Sequence, residues 1–184
     1  MEIRLAIQST PNPNALKFVV NKPVKTEGKV TYKSAAECEN NPLAAALFGV
    51  KHVQEVYFFD NYITVTQSGD GDWDTLENEI KAIIMDKIAA HDANFKVTEP
   101  VKLGPVLNNP EVDKINAILD QTIRPALQMD GGDLSIIEFE NNVLKVSYHG
   151  ACGSCPSSTS GTLKAIENIL RDEYKPDLIV ELAA

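Results

Sequence analysis

The pattern of hydrophobic and polar positions divides the chain into two halves with different orders of strands and helices. In the first half, short apolar runs separated by turn residues indicate strands, and apolar residues at helical spacing indicate helices. The predicted elements are, in order, strands at 2–8 and 16–20, a helix at 35–48, strands at 53–59 and 62–67, and a helix at 73–91. The order β-β-α-β-β-α is typical of an α+β domain.

The second half has the predicted order α-β-β-α-β, and we expect Pro125 to kink the last turn of its first helix. The predicted elements are a helix at 110–128, strands at 134–139 and 143–148, a helix at 157–171 and a strand at 178–182. Residues 93–109 have little periodicity and several prolines, which is typical of a linker. The sequence therefore predicts an α+β protein of two small domains, residues 1–92 and 110–184, joined by a linker at 93–109.

Charge and composition narrow the classes of partner. The 184-residue chain has a net charge of −9 with no basic patch, so we expect neither nucleic acid nor an anionic membrane as a partner. Its longest apolar run, Leu43–Val50, is too short to span a bilayer. The first residues lack the pattern of a secretory signal or transit peptide, and three cysteines do not make a disulfide framework. We therefore expect a cytoplasmic protein.

Two of the three cysteines, Cys152 and Cys155, lie three positions apart between a predicted strand and a predicted helix. The unsatisfied backbone N–H groups and dipole of a helix N-terminus favour negative charge, which lowers the cost of ionising a thiol. Gly153 allows a tight turn between the two sulfurs, and Pro156 suits a first helical position. A Cys-x-x-Cys pair of this kind can hold half of a zinc site, hold half of an iron–sulfur cluster, or cycle between dithiol and disulfide.

Longer motifs around these cysteines resemble a known family. Residues Met129–Leu134 (MDGGDL) and Gly150–Ser158 (GACGSCPSS) resemble the NifU-like C-terminal domain of Nfu-type iron–sulfur cluster carriers. Residues Thr10–Phe18 (TPNPNALKF) resemble the signature of the Nfu N-terminal domain. The two resemblances occur in the domain order of that family and together cover nearly the whole chain.

The resemblance implies a carrier that binds a labile [4Fe-4S] cluster and transfers it to apo-proteins. Cys152 and Cys155 would be the cluster ligands, and two chains would each contribute one pair, giving a homodimer when the cluster is bound. The implied partners are an upstream cluster-assembly scaffold and recipient iron–sulfur proteins. By exclusion, the first domain would recognise these partners. We find no Ser-His-Asp set, phosphate loop or paired carboxylates, so we expect a carrier and not an enzyme.

Two other functions use the same cysteine pair. A thiol–disulfide oxidoreductase also places Cys-x-x-Cys between a strand and a helix, although only one predicted helix and one strand follow Cys155 here. A zinc-binding interaction module is the second alternative, with His149 as a third ligand within one chain. We expect His149 to end its strand as a surface or hydrogen-bonded residue. Cys38 has no cysteine at short spacing, and we expect it to be a small, partly buried residue.

Overall fold

The computed structural model describes residues 2–96, 109–153 and 156–183, with only the backbone described for residues 156–159. The chain divides into two compact units, Met1–Val97 and Thr98–Ala184, and each unit has its own hydrophobic core. The predicted α+β class with two domains is confirmed. Within the described ranges, every helix is too short or too polar to cross a membrane.

The first unit is a five-stranded antiparallel sheet in the order β1-β2-β5-β4-β3, with helices against one face. Its elements are β1 (Leu5–Ser9), β2 (Ala15–Val20), β3 (Lys25–Tyr32), a short 3-10 helix (Ala35–Cys38), α1 (Pro42–Phe48), β4 (Val53–Asp60), β5 (Tyr62–Gln67) and α2 (Trp73–Lys87). Leu76, Ile80 and Ile84 recur every four residues, so α2 presents a single apolar stripe to the sheet. The core of this unit therefore lies between that face of the sheet and the helices.

Strand β3 was not predicted, and the order β-β-α-β-β-α is wrong at this point. The strand pairs with β4 at the edge of the sheet, and its residues 26–28 are exposed. A register shift lies between Lys25 and Lys29, and Gly28 inside it has a positive φ of 69°. An edge strand with a bulge and few buried residues has no clean alternation of polar and apolar positions, so its pattern resembles that of a loop.

The second unit has a three-stranded sheet in the order β6-β7-β8, with β6 and β7 antiparallel and β7 and β8 parallel. Its elements are α3 (Pro110–Thr122), α4 (Arg124–Met129), β6 (Gly132–Glu140), β7 (Val143–Gly150), α5 (Pro156–Glu173) and β8 (Ile179–Leu182). The predicted order of strands is confirmed. The predicted helix 110–128 is instead two helices that meet at Ile123, because Pro125 has no N–H and cannot continue the hydrogen-bond ladder of α3.

The cysteine turn lies in the crossover that joins the parallel strands β7 and β8 through α5. This position is the carboxyl end of a strand and the amino end of a helix, where mixed folds commonly bind ligands. In the predicted linker, Ala93 and Phe95 are buried, and Phe95 packs in the core of the first unit. Residues 97–108 of that linker lie outside the described residues.

Candidate metal centre

Cys152 lies where the sequence predicts it, in the turn that follows β7 and precedes α5. The residue is only 6% exposed and packs in the core of the second unit. Its predicted partner Cys155 lies outside the described residues, as does Ser154. The 18-residue helix α5 begins at Pro156, directly after this pair of positions. Of the predicted pair, Cys152 is therefore the cysteine whose surroundings the structure describes.

Glycine residues form the floor on which the Cys152 side chain rests. Gly132 pairs with Gly150 across β6 and β7, and a Cβ atom placed on Gly132 would lie 2.5 Å from Cys152 Sγ. Gly131 and Gly150 both have positive φ angles, of 79° and 61°, which glycine adopts without strain. The Ala151 N–H donates to the Gly131 carbonyl at 3.2 Å. The sulfur therefore occupies space that exists because position 132 has no side chain.

A buried carboxylate holds the chain directly after this floor. Asp133 is 2% exposed, and its Oδ1 accepts a hydrogen bond from the Leu134 N–H at 2.7 Å. Arg124 Nε lies 3.6 Å from the same oxygen, and Gln128 Nε2 donates to Oδ2 at 3.5 Å. Both of these partners come from α4. They tie that helix to the first residues of β6, and so they fix the position of Gly132 under the sulfur.

Tyr148 and His149 lie just before the cysteine turn. The Tyr148 hydroxyl oxygen is buried and has no hydrogen-bond partner among the described residues. Burial, and to a smaller extent the charge of the nearby Cys152 thiolate, raise the pKa of Tyr148, which keeps the phenol protonated. His149 Nε2 lies 2.9 Å from Ser135 Oγ, so His149 is the hydrogen-bonded residue that the sequence predicts.

Cys38 belongs to the core of the first unit. It is 2% exposed, and its Sγ lies 3.3 Å from the Ser34 carbonyl oxygen, to which the thiol donates. Burial, with a smaller contribution from the charge of Glu37, raises the pKa of the Cys38 thiol to about 11. Only the thiolate binds metal, so the raised pKa adds to the cost of metal binding at Cys38. Cys38 is therefore a core residue, and it is more deeply buried than the sequence predicts.

The loop at Thr10–Asn14, which carries the first family motif, is held by its own hydrogen bonds. The Thr10 hydroxyl lies 2.9 Å from both the Asn12 and Ala15 carbonyl oxygens, and the Asn14 N–H donates to Asn12 Oδ1 at 2.9 Å. The Trp73 indole N–H donates to the Pro13 carbonyl, also at 2.9 Å. The motif therefore encodes a fixed turn that is anchored on the start of α2.

Three parts of the candidate metal centre were not predicted from the sequence. The Asp130–Asp133 turn was interpreted as a helix end, and Gly132 was not identified as the contact of a cysteine sulfur. Arg124 was not identified as a site residue. An arginine on a predicted helix that precedes a Gly-Gly-Asp turn could have indicated an ion pair with the aspartate of that turn. Tyr148 was counted only as part of a strand. The alternation of β7 could have placed its side chain on the same face as the buried residues.

Comparison with known proteins agrees with the motifs. The family described as "Scaffold protein Nfu/NifU N terminal" matches residues 5–91, and the family described as "NifU-like domain" matches residues 115–181. A human protein named "NFU1 iron-sulfur cluster scaffold homolog, mitochondrial" is 37% identical over 168 residues, which are 89% of this chain and 65% of that protein. "NifU-like protein 5, mitochondrial" from Arabidopsis thaliana is 34% identical over 169 residues, which are 89% of this chain and 62% of that protein.

A third relative, the Drosophila grimshawi protein with the same name as the human one, is 35% identical over 167 residues, or 89% of this chain and 56% of that protein. The chain thus spans between about half and two thirds of the length of these relatives. A solution structure of a NifU-like protein from Saccharomyces cerevisiae has a TM-score of 0.46 at 21% identity, covering 53% of this chain and 87% of that one. A crystal structure of a Staphylococcus aureus protein has a TM-score of 0.41 at 21% identity, covering 46% and 99%.

The expectation of a cytoplasmic protein is wrong, because these curated relatives are named as mitochondrial. That expectation depended on composition and on the character of the first residues. Neither property separates the two compartments, since a net charge of −9 and three cysteines are equally compatible with a mature organellar protein. The compartment therefore had no reliable signal in the residues themselves.

Proposed function

The chain belongs to the Nfu family of iron–sulfur cluster scaffold proteins, and on this premise we propose that it carries a [4Fe-4S] cluster between two chains. Cys152 and Cys155 of each chain are the proposed ligands. The cluster is cargo, received from an upstream assembly scaffold and delivered to recipient apo-proteins. The relatives are named scaffolds, and we propose carriage without catalysis.

The observation that carries this proposal is the position of Cys152 above Gly132. The sulfur of Cys152 lies in a glycine-lined turn at the end of β7. In the sequence, Cys155 and the start of α5 follow within four residues. A cubane cluster requires four thiolates, and the motif supplies two in each chain. A second chain that contributes an equal pair completes the set. Because such a cluster is held only while two chains associate, their separation provides a route for its release.

The electrostatic surroundings of Cys152 support an anionic cargo. A cluster with four thiolate ligands carries net negative charge, and the amino end of an 18-residue helix favours negative charge. Arg124 lies beside the buried Asp133 and also pairs with Asp120 on α3. The carboxylate of Asp133 near the turn therefore has a cation beside it, which reduces its repulsion of an anion that enters the site.

The first unit is our candidate for recognition of suppliers and recipients. The one cysteine of this unit, Cys38, is buried and has a raised pKa, so it is poorly suited to bind the cargo. Residues 105–184 alone should therefore bind a cluster and transfer it more slowly than the full chain to at least one recipient. Equal transfer rates to every recipient would contradict a recognition role.

Anaerobic reconstitution with iron and sulfide tests the ligand assignment. The wild type should bind about four irons per two chains, measured by iron analysis and Mössbauer spectroscopy. Cys152→Ser and Cys155→Ser should each prevent loading while the far-ultraviolet circular dichroism remains that of the wild type. Cys38→Ser is the matched control and should load normally. Full loading of either of the first two variants would refute the assignment.

Oligomeric state tests the bridging of two chains. We expect a monomer without the cluster and a dimer with it, measured by gel filtration with light scattering under anaerobic conditions. A cluster-loaded monomer would contradict the bridged arrangement. A preparation that takes up no cluster but forms a reversible disulfide between Cys152 and Cys155 would favour an oxidoreductase. Stoichiometric zinc that iron does not displace would favour an interaction module.

A further inference from the structure

Tyr148 lies on the core face of β7. Leu144 and Val146 precede it at alternate positions and are fully buried, so the period of the strand places all three side chains on the same face. Tyr148 pairs directly with Leu134 of β6, which is also fully buried. The pairing of β8 with β7 ends at Val146, so Tyr148 lies beyond the three-stranded part of the sheet, next to the cysteine turn.

The sulfur of Cys152 lies on that same face. Gly132 is two residues before Leu134 on β6, so a Cβ atom on Gly132 would point to the core face, and it would meet Cys152 Sγ at 2.5 Å. Positions 132 and 148 are diagonal neighbours across an antiparallel pair, a separation that long aromatic side chains span. The phenol of Tyr148 and the thiol of Cys152 therefore share one corner of the second unit.

The hydroxyl group of Tyr148 has no structural use that the described residues reveal. Its oxygen is buried from solvent and has no hydrogen-bond partner among those residues. A buried hydroxyl without a partner destabilises the protein in which it occurs, and phenylalanine would fill the same space without that cost. By contrast, Tyr174, which directly follows α5, donates a hydrogen bond from its hydroxyl group to Glu111 Oε1 at 2.7 Å.

We propose that the Tyr148 hydroxyl donates a hydrogen bond to a sulfur atom of the bound cluster, which makes Tyr148 a positioning residue for the cargo. This inference rests on the proposed function, because the sulfur atoms of a bound cluster are the proposed acceptors at the corner above Gly132. The fold already positions the donor, the Tyr148 hydroxyl, in the empty chain, and the sulfur acceptor is added when the cluster binds. Tyr148 therefore makes this hydrogen bond in the loaded state and not in the empty one.

Two consequences follow from such a hydrogen bond. A donor on a thiolate or sulfide withdraws electron density from the sulfur, so it stabilises the reduced cluster and raises its reduction potential. The bond exists only in the loaded state, so it also slows the loss of the cluster. Removal of the hydroxyl should thus weaken cargo binding without weakening the fold of the empty chain.

Tyr148→Phe in the full chain tests this inference, with Tyr174→Phe as the matched control. For the empty protein, urea unfolding should find Tyr148→Phe at least as stable as the wild type and Tyr174→Phe less stable. For the loaded protein, Tyr148→Phe should lose its cluster to a ferrous chelator about tenfold faster than the wild type, the effect of one hydrogen bond to a charged group. Its reduction potential should fall and its iron–sulfur stretching bands in resonance Raman should shift, whereas loaded Tyr174→Phe should match the wild type.

The outcomes separate the inference from the proposed function. If the wild type loads and Tyr148→Phe has the same cluster lifetime, potential and Raman bands, the inference is wrong while the carrier function stands. Lower stability of empty Tyr148→Phe would also overturn it, because the hydroxyl would then have a partner within the protein. A wild type that binds no cluster would overturn the proposed function, and the inference with it.

Discussion

Cys38 and Cys152 are both buried thiols, and their environments differ in almost every other respect. Their exposed fractions are 2% and 6%, so burial alone does not distinguish them. Cys38 lies in a short 3-10 helix within the first core, and its thiol donates to the Ser34 carbonyl. Cys152 lies in a turn between a strand and a long helix, where a glycine leaves space beside its sulfur.

The difference shows what a ligand cysteine requires from its surroundings. The environment of Cys38 opposes ionisation, because it is apolar and because Glu37 is close. The environment of Cys152 combines a glycine floor, a phenol with no hydrogen-bond partner in the described part of the chain, and the amino end of a helix. Backbone geometry, more than accessibility, therefore separates the candidate ligand from the structural thiol.

The largest expected effect on cluster loading comes from filling the space beneath Cys152. In Gly132→Ala, the new methyl group would lie 2.5 Å from Cys152 Sγ and 2.8 Å from the His149 carbonyl oxygen, so the turn must move. We expect cluster loading to fall below about one tenth of the wild-type level and stability to fall by about 1–3 kcal/mol, the usual cost of overpacking. Iron analysis after reconstitution and urea unfolding measure the two effects.

Gly161→Ala provides the control for this substitution. Gly161 lies within α5 and has open space around the position of a Cβ atom. Alanine there should stabilise the helix by about 1 kcal/mol and leave cluster loading unchanged. If Gly132→Ala loaded as well as Gly161→Ala, the glycine floor would not be required for the site.

Much of this site could be predicted from the sequence. The position of Cys152 followed from a strand pattern that ends at Tyr148 and a helical pattern that begins near Pro156. Those patterns are strong because both elements are half buried and have regular apolar positions. The single helix predicted at 35–48 is instead a 3-10 helix and α1, because Asn41 caps α1 and Pro42 begins it.

The remaining parts depend on contacts between residues that are distant in the sequence. Gly132 meets Cys152 only because β6 and β7 pair in one particular register, and a shift of one residue would remove that contact. Strand β3 escaped prediction because an edge strand with a bulge needs few apolar residues. The ion pair between Arg124 and Asp133 depended on a break between α3 and α4, which the sequence indicated only as a kink.

The second prediction concerns that ion pair, which holds the glycine floor in place. Arg124→Met should leave the Asp133 carboxylate buried without this cation and also remove the contacts of Arg124 with Asp120 and Asn116. Stability should fall by about 3 kcal/mol, measured by urea unfolding. Lys145→Met is the control, because its pair with Glu138 is far more exposed than the Asp133 carboxylate and its loss should cost less than about 1 kcal/mol. Equal costs for the two variants would mean that the Arg124 pair contributes no more than a surface pair.

The smallest effect expected is a pH dependence that arises from Cys38. Its pKa is raised from about 9 to about 11 in the folded chain. Between these values the folded thiol is protonated and the unfolded thiol is ionised, so the unfolded state binds fewer protons and stability falls as pH rises. This contribution is complete below pH 9, and up to about 2 kcal/mol of it should be lost by pH 11.

Cys38→Ala removes the titrating group. Urea unfolding of the wild type and the variant at pH 8 and pH 10.5 gives the difference in their stability at each pH, and the change in that difference is the contribution of Cys38 ionisation. A difference that stays constant between the two pH values would show that the folded Cys38 thiol ionises as readily as an unfolded one, and the contrast with Cys152 would then rest on geometry alone.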